Sequence, residues 1–469
     1  MKVAFVSLVC SLYAVSARKL KGDKGTKPQA VGDPNYLQLS STIDQPNGPI
    51  GAGVGITYNS EDALNGMTFE GSEVEILEDA HYFFVAAPQV AGPGGSDYIA
   101  DYYLGINGED VANSGVRLSG NEFHQDVILI AGVIPFVAGD KFKVLGSGSG
   151  AITKVIDEPG EPLVPSIIFS MFELQFPTFI QLSSTLTQPN GPFGSGVAIT
   201  YNSIDGQLGV GFDLGSSEIQ ILEDGAYMVI IAPQVGGRGE KNKAFADYWV
   251  KVNGMDAANS NVRYVSADEF SDVIICQGVY ELGAGDSIEV FGSGLNSENV
   301  FLSPDGEPAI PSIIVTAYKL NPGAAYTQLS STETQVNGPL GEGVPITFNS
   351  IDAINGVDFH DDHPDEILIM EDGAYFIVAA PQIGAVDFLA GSQIADYWIR
   401  VNGVNVGNSN VRYEDNSKYE DVIVCQGVYE LMAGDIVQVI GSGDNSKTTA
   451  IEEPGEPLVP SIIFSMHMI

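Results

Sequence analysis

The chain has 469 residues, with 20 basic and 60 acidic side chains and a formal net charge of −40. This length exceeds what one hydrophobic core usually organises, so about two to four domains are expected. The strong negative charge disfavours nucleic acid and anionic membrane surfaces as partners. With 55 Gly, 25 Pro and only 17% charged residues, the composition favours strands joined by turns over helices.

The first 33 residues have the pattern of a targeting segment followed by a basic arm. An apolar run after Lys2 ends in small residues at 15–17, which predicts a signal peptide at 1–17. Five basic residues lie between Arg18 and Lys27, so residues 18–33 are predicted to be a flexible basic arm. No later stretch has the roughly 18–20 uncharged apolar residues of a membrane span. The expected location is therefore secreted or extracellular, with no transmembrane anchor.

One unit recurs three times along the remaining sequence. The string QLSST stands at 38–42, 181–185 and 328–332, so the copies are offset by 143 and 147 residues. A period of this size is too long for a solenoid, whose repeats have roughly 20–50 residues. Each unit is therefore predicted to be a whole domain, and the predicted domains are repeat 1 at 34–174, repeat 2 at 177–320 and repeat 3 at 324–469.

Within each unit, short apolar runs alternate with turn residues. Segments such as 218–222, 227–232 and 248–252 have the length and composition of strands. Asn253-Gly254 predicts a type I′ hairpin turn, because both residues accept a positive φ. No window predicts a helix. The pattern indicates an all-β protein of three tandem jelly-roll β-sandwich domains.

Four strings in repeat 3 carry a family resemblance. EDGAYFIVAAP (371–381), ADYWIRVNG (395–403), GVYELMAGD (427–435) and PSIIFSM (460–466) resemble the globular heads of the complement-component-1q and tumour-necrosis-factor (TNF) superfamily. The resemblance covers nearly all of each repeat. It implies ten-stranded jelly rolls that assemble as trimers, bind proteins, glycans or bacterial surfaces, and often carry calcium. Three heads on one chain are therefore expected to pack as a monomeric, intramolecular pseudo-trimer.

One basic residue stands at the same place in every repeat, and two roles are open for it. It either pairs with a recurring aspartate or contacts an anion or sugar acid of a ligand. The preference of Arg for bidentate bonds to carboxylates favours the first role. The arginines, which are the candidate binding residues, are Arg117, Arg263 and Arg412. The two candidate aspartate rows are Asp101, Asp247 and Asp396, and Asp126, Asp272 and Asp421.

The search for catalytic and metal-binding residues leaves one local cluster. The five histidines share no position across the repeats, so no enzyme is predicted. A metal site is the candidate role for His360, Asp361, Asp362 and His363. The alternative is a solvated loop, and a secreted hydrolase is the weakest functional class, because only this cluster suggests it. No cofactor is required, although calcium fits the acidic composition.

Two further recurring features have structural interpretations. The acidic pairs at 78–79, 223–224 and 371–372 are predicted to be turns, in which Asp bonds its own backbone two residues on. Cys276 and Cys425 are predicted to be buried free thiols, with Ala131 at their site in repeat 1.

The predicted function is non-catalytic: a secreted recognition protein that engages a protein, glycan or surface multivalently. The alternative is an extracellular coat, wall or matrix protein that self-associates through its heads.

Overall fold

All regular structure in the described part of the chain is β-strand. The computed structural model describes residues 34–92, 97–121, 123–237, 244–266, 271–386, 392–415 and 420–469. No helix in these residues is long and apolar enough to cross a membrane. The predicted signal peptide and basic arm lie outside the described residues.

Each repeat contributes sixteen strands in the same order. Those of repeat 1 are β1 (Tyr36–Ser41), β2 (Gln45–Pro46), β3 (Gly48–Pro49), β4 (Val54–Gly55), β5 (Ser60–Asn65), β6 (Met67–Glu70), β7 (Glu73–Ile76), β8 (Ala80–Ala91), β9 (Tyr98–Ile106), β10 (Glu109–Asp110), β11 (Val116–Gly120), β12 (Gln125–Val127), β13 (Ile130–Phe136), β14 (Lys141–Ser149), β15 (Ile152–Thr153) and β16 (Ile167–Glu173). Those of repeat 2 are β17 (Phe179–Ser184), β18 (Gln188–Pro189), β19 (Gly191–Pro192), β20 (Val197–Ala198), β21 (Ser203–Leu208), β22 (Val210–Phe212), β23 (Ile219–Ile221), β24 (Gly225–Gly237), β25 (Ala244–Val252), β26 (Met255–Asp256), β27 (Val262–Ser266), β28 (Ser271–Val273), β29 (Cys276–Leu282), β30 (Ser287–Leu295), β31 (Ser297–Asn299) and β32 (Ile313–Lys319). Those of repeat 3 are β33 (Tyr326–Ser331), β34 (Gln335–Val336), β35 (Gly338–Pro339), β36 (Val344–Pro345), β37 (Ser350–Asn355), β38 (Val357–Phe359), β39 (Ile367–Ile369), β40 (Gly373–Ala385), β41 (Gln393–Val401), β42 (Val404–Asn405), β43 (Val411–Asp415), β44 (Asp421–Val422), β45 (Cys425–Leu431), β46 (Ile436–Asp444), β47 (Ser446–Thr448) and β48 (Ile462–Met468).

The strands of each repeat form two facing sheets, as the jelly-roll prediction requires. In repeat 2 an inner sheet has the order β18-β31-β24-β32-β17-β21, with β28 and β29 also paired to β24. The outer sheet has the order β22-β23-β30-β25-β26, with β19 and β20 on β30 and β27 on β25. Repeats 1 and 3 follow the same plan, and the pairing of β12 with β43 joins one sheet of each into a sixteen-stranded sheet. The domain limits themselves stay a prediction from the sequence.

The predicted hairpin turn is present in all three repeats. Asn253 and Gly254 have φ angles of 52° and 73°, and Val252 pairs with Met255 across the turn. Asn107-Gly108 and Asn402-Gly403 have the same pair of positive φ angles. Because Asn and Gly tolerate this region far better than other residues, the turn chemistry fixes the strand register.

The central strands of the inner sheet are buried on both faces. All six residues of β1 are buried, although Gln38 and Ser40 are polar. One face packs on the apolar core of the repeat, and the other faces a neighbouring repeat, where Gln38 Oε1 accepts a hydrogen bond from the Val428 N–H. Val133 N–H donates to Gln181 Oε1 at 2.6 Å in the same way. Pro34–Ile469 is accordingly one compact unit.

Aromatic rings from all three repeats meet at one point between the inner sheets. The ring centroid of Phe83 lies 4.8 Å from that of Tyr318 and 5.5 Å from that of Phe376. Phe172 lies 5.3 Å from Phe376 and 5.6 Å from His467. Because Phe172, Tyr318 and His467 are equivalent residues of the three repeats, this cluster marks a pseudo-threefold axis.

Candidate functional site

Three equivalent aspartates meet on the same axis. Asp126, Asp272 and Asp421 lie in the short strands β12, β28 and β44, and each is at most 2% exposed. The Oδ1 atom of each accepts a bond of 2.6–2.7 Å from the N–H of the next residue. This local bond fixes the side-chain rotamer of each aspartate.

The environment of this axial aspartate triad disfavours three negative charges. Burial raises the pKa of Asp126 and of Asp421 well above the usual value, and the charge of Asp272 adds to both effects. Burial also raises the pKa of Asp272, against the opposing charge of His124. Asp272 Oδ2 has no hydrogen-bond partner in the part of the chain that the structure describes. A buried cluster of this kind holds protons or a cation, because unpaired buried carboxylates are costly.

Repeat 1 adds a histidine to the triad, and repeat 3 adds a carboxylate. His124 Nδ1 lies 2.9 Å from Asp415 Oδ2, and Nε2 lies 3.6 Å from Asp126 Oδ2. Burial alone would lower the pKa of His124, but the hydrogen bond and charge of Asp415 outweigh it and raise the pKa above its usual value. His124, Asp126 and Asp272 place one ligand atom each within 4.8 Å of one another. They are the one set of three or more such side chains in the described residues that could hold a metal ion.

These residues fit a hard cation better than a soft one. The threefold-related donors are carboxylate oxygens, which calcium prefers, and one of these oxygens has no hydrogen-bond partner among the described residues. His124 is a nitrogen donor already bonded to Asp415, so it serves more readily as a neighbouring positive group than as a calcium ligand. The recurrence of the aspartates was visible in the sequence, but their meeting depends on how the repeats pack.

The recurring arginines pair with the other aspartate row. Arg263 donates through Nε and Nη2 to Asp247 at 2.7 and 2.6 Å, opposite it in the β25–β27 ladder. The same fork joins Arg117 to Asp101 and Arg412 to Asp396. The pairing with a carboxylate that the sequence favours is present in all three repeats. Ligand binding by the three arginines stays an untested prediction.

The arginine strands also join neighbouring repeats in a closed cycle. Gln382 of repeat 3 donates to the Arg263 carbonyl and accepts from the Arg263 N–H, both at 2.8 Å. Gln89 of repeat 1 makes this double bond to the backbone of Arg412, and Gln234 of repeat 2 makes it to that of Arg117. Repeats 1, 2 and 3 are therefore held by the same contact at each interface.

The predicted metal cluster of repeat 3 lies in a turn between β38 and β39. The side chains of His360 and His363 are 70% and 69% exposed. His360 Nε2 lies 3.0 Å from Asp358, and His363 Nδ1 lies 3.9 Å from Glu366. The four predicted ligands, which include Asp361 and Asp362, therefore do not converge as one ligand set. A metal at this loop stays a prediction that the structure does not support.

Two smaller expectations need correction. The recurring acidic pairs are turns, but Asp224 accepts from the distant Ala284 N–H at 2.7 Å instead of from its own backbone. Cys276 and Cys425 are buried free thiols as predicted, and burial raises the pKa of Cys276 to about 12. Their site in repeat 1 is Ile130, because the sheet register pairs Ile130 with Ala86 where Cys425 pairs with Ala379.

Comparisons with known proteins add little to these observations. No protein-family model matches the chain, and no curated protein sequence matches it. Of 129 similar solved chains, one is described as the crystal structure of murine APRIL at pH 8.5, with 11% identity and a TM-score of 0.21. The match covers 31% of this chain and 99% of that chain. A likeness this low decides nothing about function.

Proposed function

We propose that this chain is a secreted, non-catalytic binding protein whose three TNF-like and complement-1q-like repeats engage a protein, glycan or surface. The observation that carries the proposal is the closed cycle of Gln–Arg contacts. Each glutamine binds the backbone of an arginine in the repeat that precedes its own around the cycle, and the glutamines are Gln89, Gln234 and Gln382. Such closure repeats each outer surface around one rigid body. Three equal sites would gain avidity for a repeating target.

The recurring charged groups support a structural role more than a catalytic one. Arg117, Arg263 and Arg412 each give their fork to an aspartate. A general base or nucleophile needs a substrate-facing group, and these pairs are directed into the fold. The axial triad differs from these pairs, because its carboxylates are buried without an arginine fork and Asp272 Oδ2 has no hydrogen-bond partner among the described residues.

We include calcium in the proposal as a structural ion. Asp126 and Asp272, the two carboxylates of the set that could hold a metal ion, would bind it, and the bound ion would supply positive charge that offsets the repulsion between them and Asp421. In this role the ion links repeats 1 and 2 and stabilises the body that presents the binding surfaces.

The test combines ligand binding with thermal melting, each with calcium and with a chelator. A cation at about 100 times its Kd should add about 2.7 kcal/mol to the free energy of unfolding. Asp272→Asn should abolish this gain, whereas the matched control Asp361→Asn in the exposed loop should keep it. If only the control variant lost this increase in the free energy of unfolding, the cation would bind at the exposed loop and not at the axial triad. A glycan and surface array, run in the same two buffers, should show binding that is strongest with calcium.

A structural coat is the second candidate, and exposed apolar side chains at one end of each repeat favour it. Leu77, Leu222 and Met370 are equivalent residues and are 46%, 55% and 50% exposed. Beside them, Val137 and Met432 are 56% and 66% exposed. Native mass measurement decides between the candidates: concentration-dependent multiples of the 49.6 kDa chain support the coat, and a constant single-chain mass supports recognition.

A further inference from the structure

A cavity of about 530 Å³ opens between repeats 1 and 3. β5 of repeat 1 forms one wall, and β45 with the β41–β42 hairpin of repeat 3 forms the other. Its volume falls within the roughly 300–1,000 Å³ of ligand pockets. We call this cavity the 3/1 groove.

The 3/1 groove is lined by three carboxylates that form no ion pair with a cation of the described residues. Glu61, Asp62 and Glu430 are exposed in it. Asp62 accepts from Asn408 at 2.9 Å, and Glu430 accepts from the Tyr36 hydroxyl at 2.6 Å. Neutral donors therefore orient two of the carboxylates without cancelling their charge. The carboxylate of Glu61, whose backbone pairs with Leu39, makes no hydrogen bond or ion pair with any described residue.

The walls between these carboxylates are apolar. Val401, Val406, Val428 and Leu431 line the groove beside the ring of Tyr429. Tyr429 is 7% exposed, and its hydroxyl has no hydrogen-bond partner within the described residues. Apolar walls with acidic ends match a cation on an alkyl stem, because the stem covers the valines while the charged head reaches a carboxylate.

The two other interfaces lack this combination. The place of Glu61 is taken by Ile204 and Ile351 in repeats 2 and 3. The place of Gly407 is taken by Ala112 and Ala258 in repeats 1 and 2. A Cβ at Gly407 would meet nothing within 4 Å, so the missing methyl group leaves open space at this interface.

The position of Glu430 also differs among the three repeats. Glu430 of repeat 3 corresponds to Glu281 in repeat 2 and to Pro135 in repeat 1. The interface of repeats 1 and 2 therefore has only an aspartate at this place, and that of repeats 2 and 3 has two acidic residues. The full acidic set with its open wall is confined to the 3/1 groove.

From these observations we propose that the 3/1 groove binds one basic peptide segment of a protein partner, through arginine or lysine side chains held by Glu61 and Glu430. The proposal rests on the binding function given above and names the chemistry of the partner. It predicts one such site per chain, in spite of the threefold fold.

The probe is an N-acetylated, C-amidated tri-arginine peptide, titrated calorimetrically into the full chain at low and at physiological salt. Binding should show a stoichiometry of one. Glu61→Ile, which copies Ile204 and Ile351, should weaken it by about tenfold or more, the scale of a lost charge pair. The matched control is Glu75→Ile, which removes the same charge from an exposed strand position of repeat 1.

Two further variants use the repeats as templates. Gly407→Ala copies repeats 1 and 2 and should weaken binding at an unchanged melting temperature. The double variant Ile351→Glu with Ala258→Gly should rebuild the groove at the interface of repeats 2 and 3 and raise the stoichiometry from one to two.

Equal weakening by Glu61→Ile and Glu75→Ile would overturn the proposal, because it would show only general attraction to an acidic protein. A wild-type stoichiometry of three would overturn it as well. Failure of the peptide to bind, with ligands still found on the glycan and surface array, would refute the groove and leave the proposed function standing. If the peptide binds but no ligand is found on the array, the proposed function would be refuted and the groove would stand.

Discussion

Acid should destabilise the protein through one histidine on the pseudo-threefold axis. His467 is 2% exposed, and burial lowers its pKa from 6.5 to about 4. Its Nε2 lies 2.9 Å from the Tyr318 hydroxyl and its Nδ1 lies 3.2 Å from the Met468 carbonyl. The arrangement fits a neutral ring that donates through Nδ1 and accepts through Nε2.

The direction of the effect follows from proton binding in the two states. Below about pH 6.5 the unfolded chain binds a proton at His467, whereas the folded protein binds it only near pH 4, so this contribution to stability is lost as the pH falls through that window. A pKa difference of one unit corresponds to about 1.4 kcal/mol, so the shift from 6.5 to about 4 lowers the free energy of unfolding by roughly 3 kcal/mol across this window.

The assay is urea unfolding followed by fluorescence of the buried Trp249 and Trp398, from about pH 7.5 to about pH 4. The test variant combines His467→Phe with Tyr318→Phe, since Phe172 holds the equivalent site in repeat 1. Relative to the wild type, the double variant should gain roughly 3 kcal/mol as the pH falls. Relative to the double variant, His467→Phe alone should be less stable by about 1–3 kcal/mol at every pH, because the Tyr318 hydroxyl is left unpaired. Identical pH dependence in the wild type and the double variant would refute the reasoning.

Two more predictions concern the interfaces. Arg263→Met leaves Asp247 buried without its partner and should lower the free energy of unfolding by about 3–5 kcal/mol; adding Asp247→Asn should restore part of it, and an unchanged urea midpoint in the single variant would contradict the structural role of the pair. Gln382→Met removes both bonds to the Arg263 backbone across the interface of repeats 2 and 3 and should cost about 1–3 kcal/mol. Hydrogen exchange of the Arg263 amide should then accelerate, and full protection of that amide would argue against the cross-repeat bond.

The fold could be predicted from local chemistry because the same signals recur three times. Asn253-Gly254 forms the turn that its positive φ angles predict, and the apolar segments at 227–232 and 248–252 lie in β24 and β25. These elements depend on neighbouring residues only, so propensity and pattern were enough.

The site was less accessible to sequence reasoning because it depends on contacts between repeats. The sequence predicts that Arg263 pairs with a carboxylate, but it does not show which of the two aspartate rows supplies it. The strand register places Asp247 opposite Arg263 in the ladder, so Asp247 is the partner. The triad of Asp126, Asp272 and Asp421 could be noticed as a recurring row. That its members face one another follows only from packing three domains around an axis.

Fusing three similar domains into one polypeptide frees each copy to mutate alone. In a homotrimer every substitution is displayed three times, so a histidine beside the axial aspartates or a glycine at a subunit boundary would be repeated at every boundary. Here His124 and Gly407 each occur in a single repeat. Substitutions can therefore adapt one interface between repeats to a ligand while the other two interfaces keep the fold. Positions that differ between the repeats then indicate where a specific binding site can have evolved.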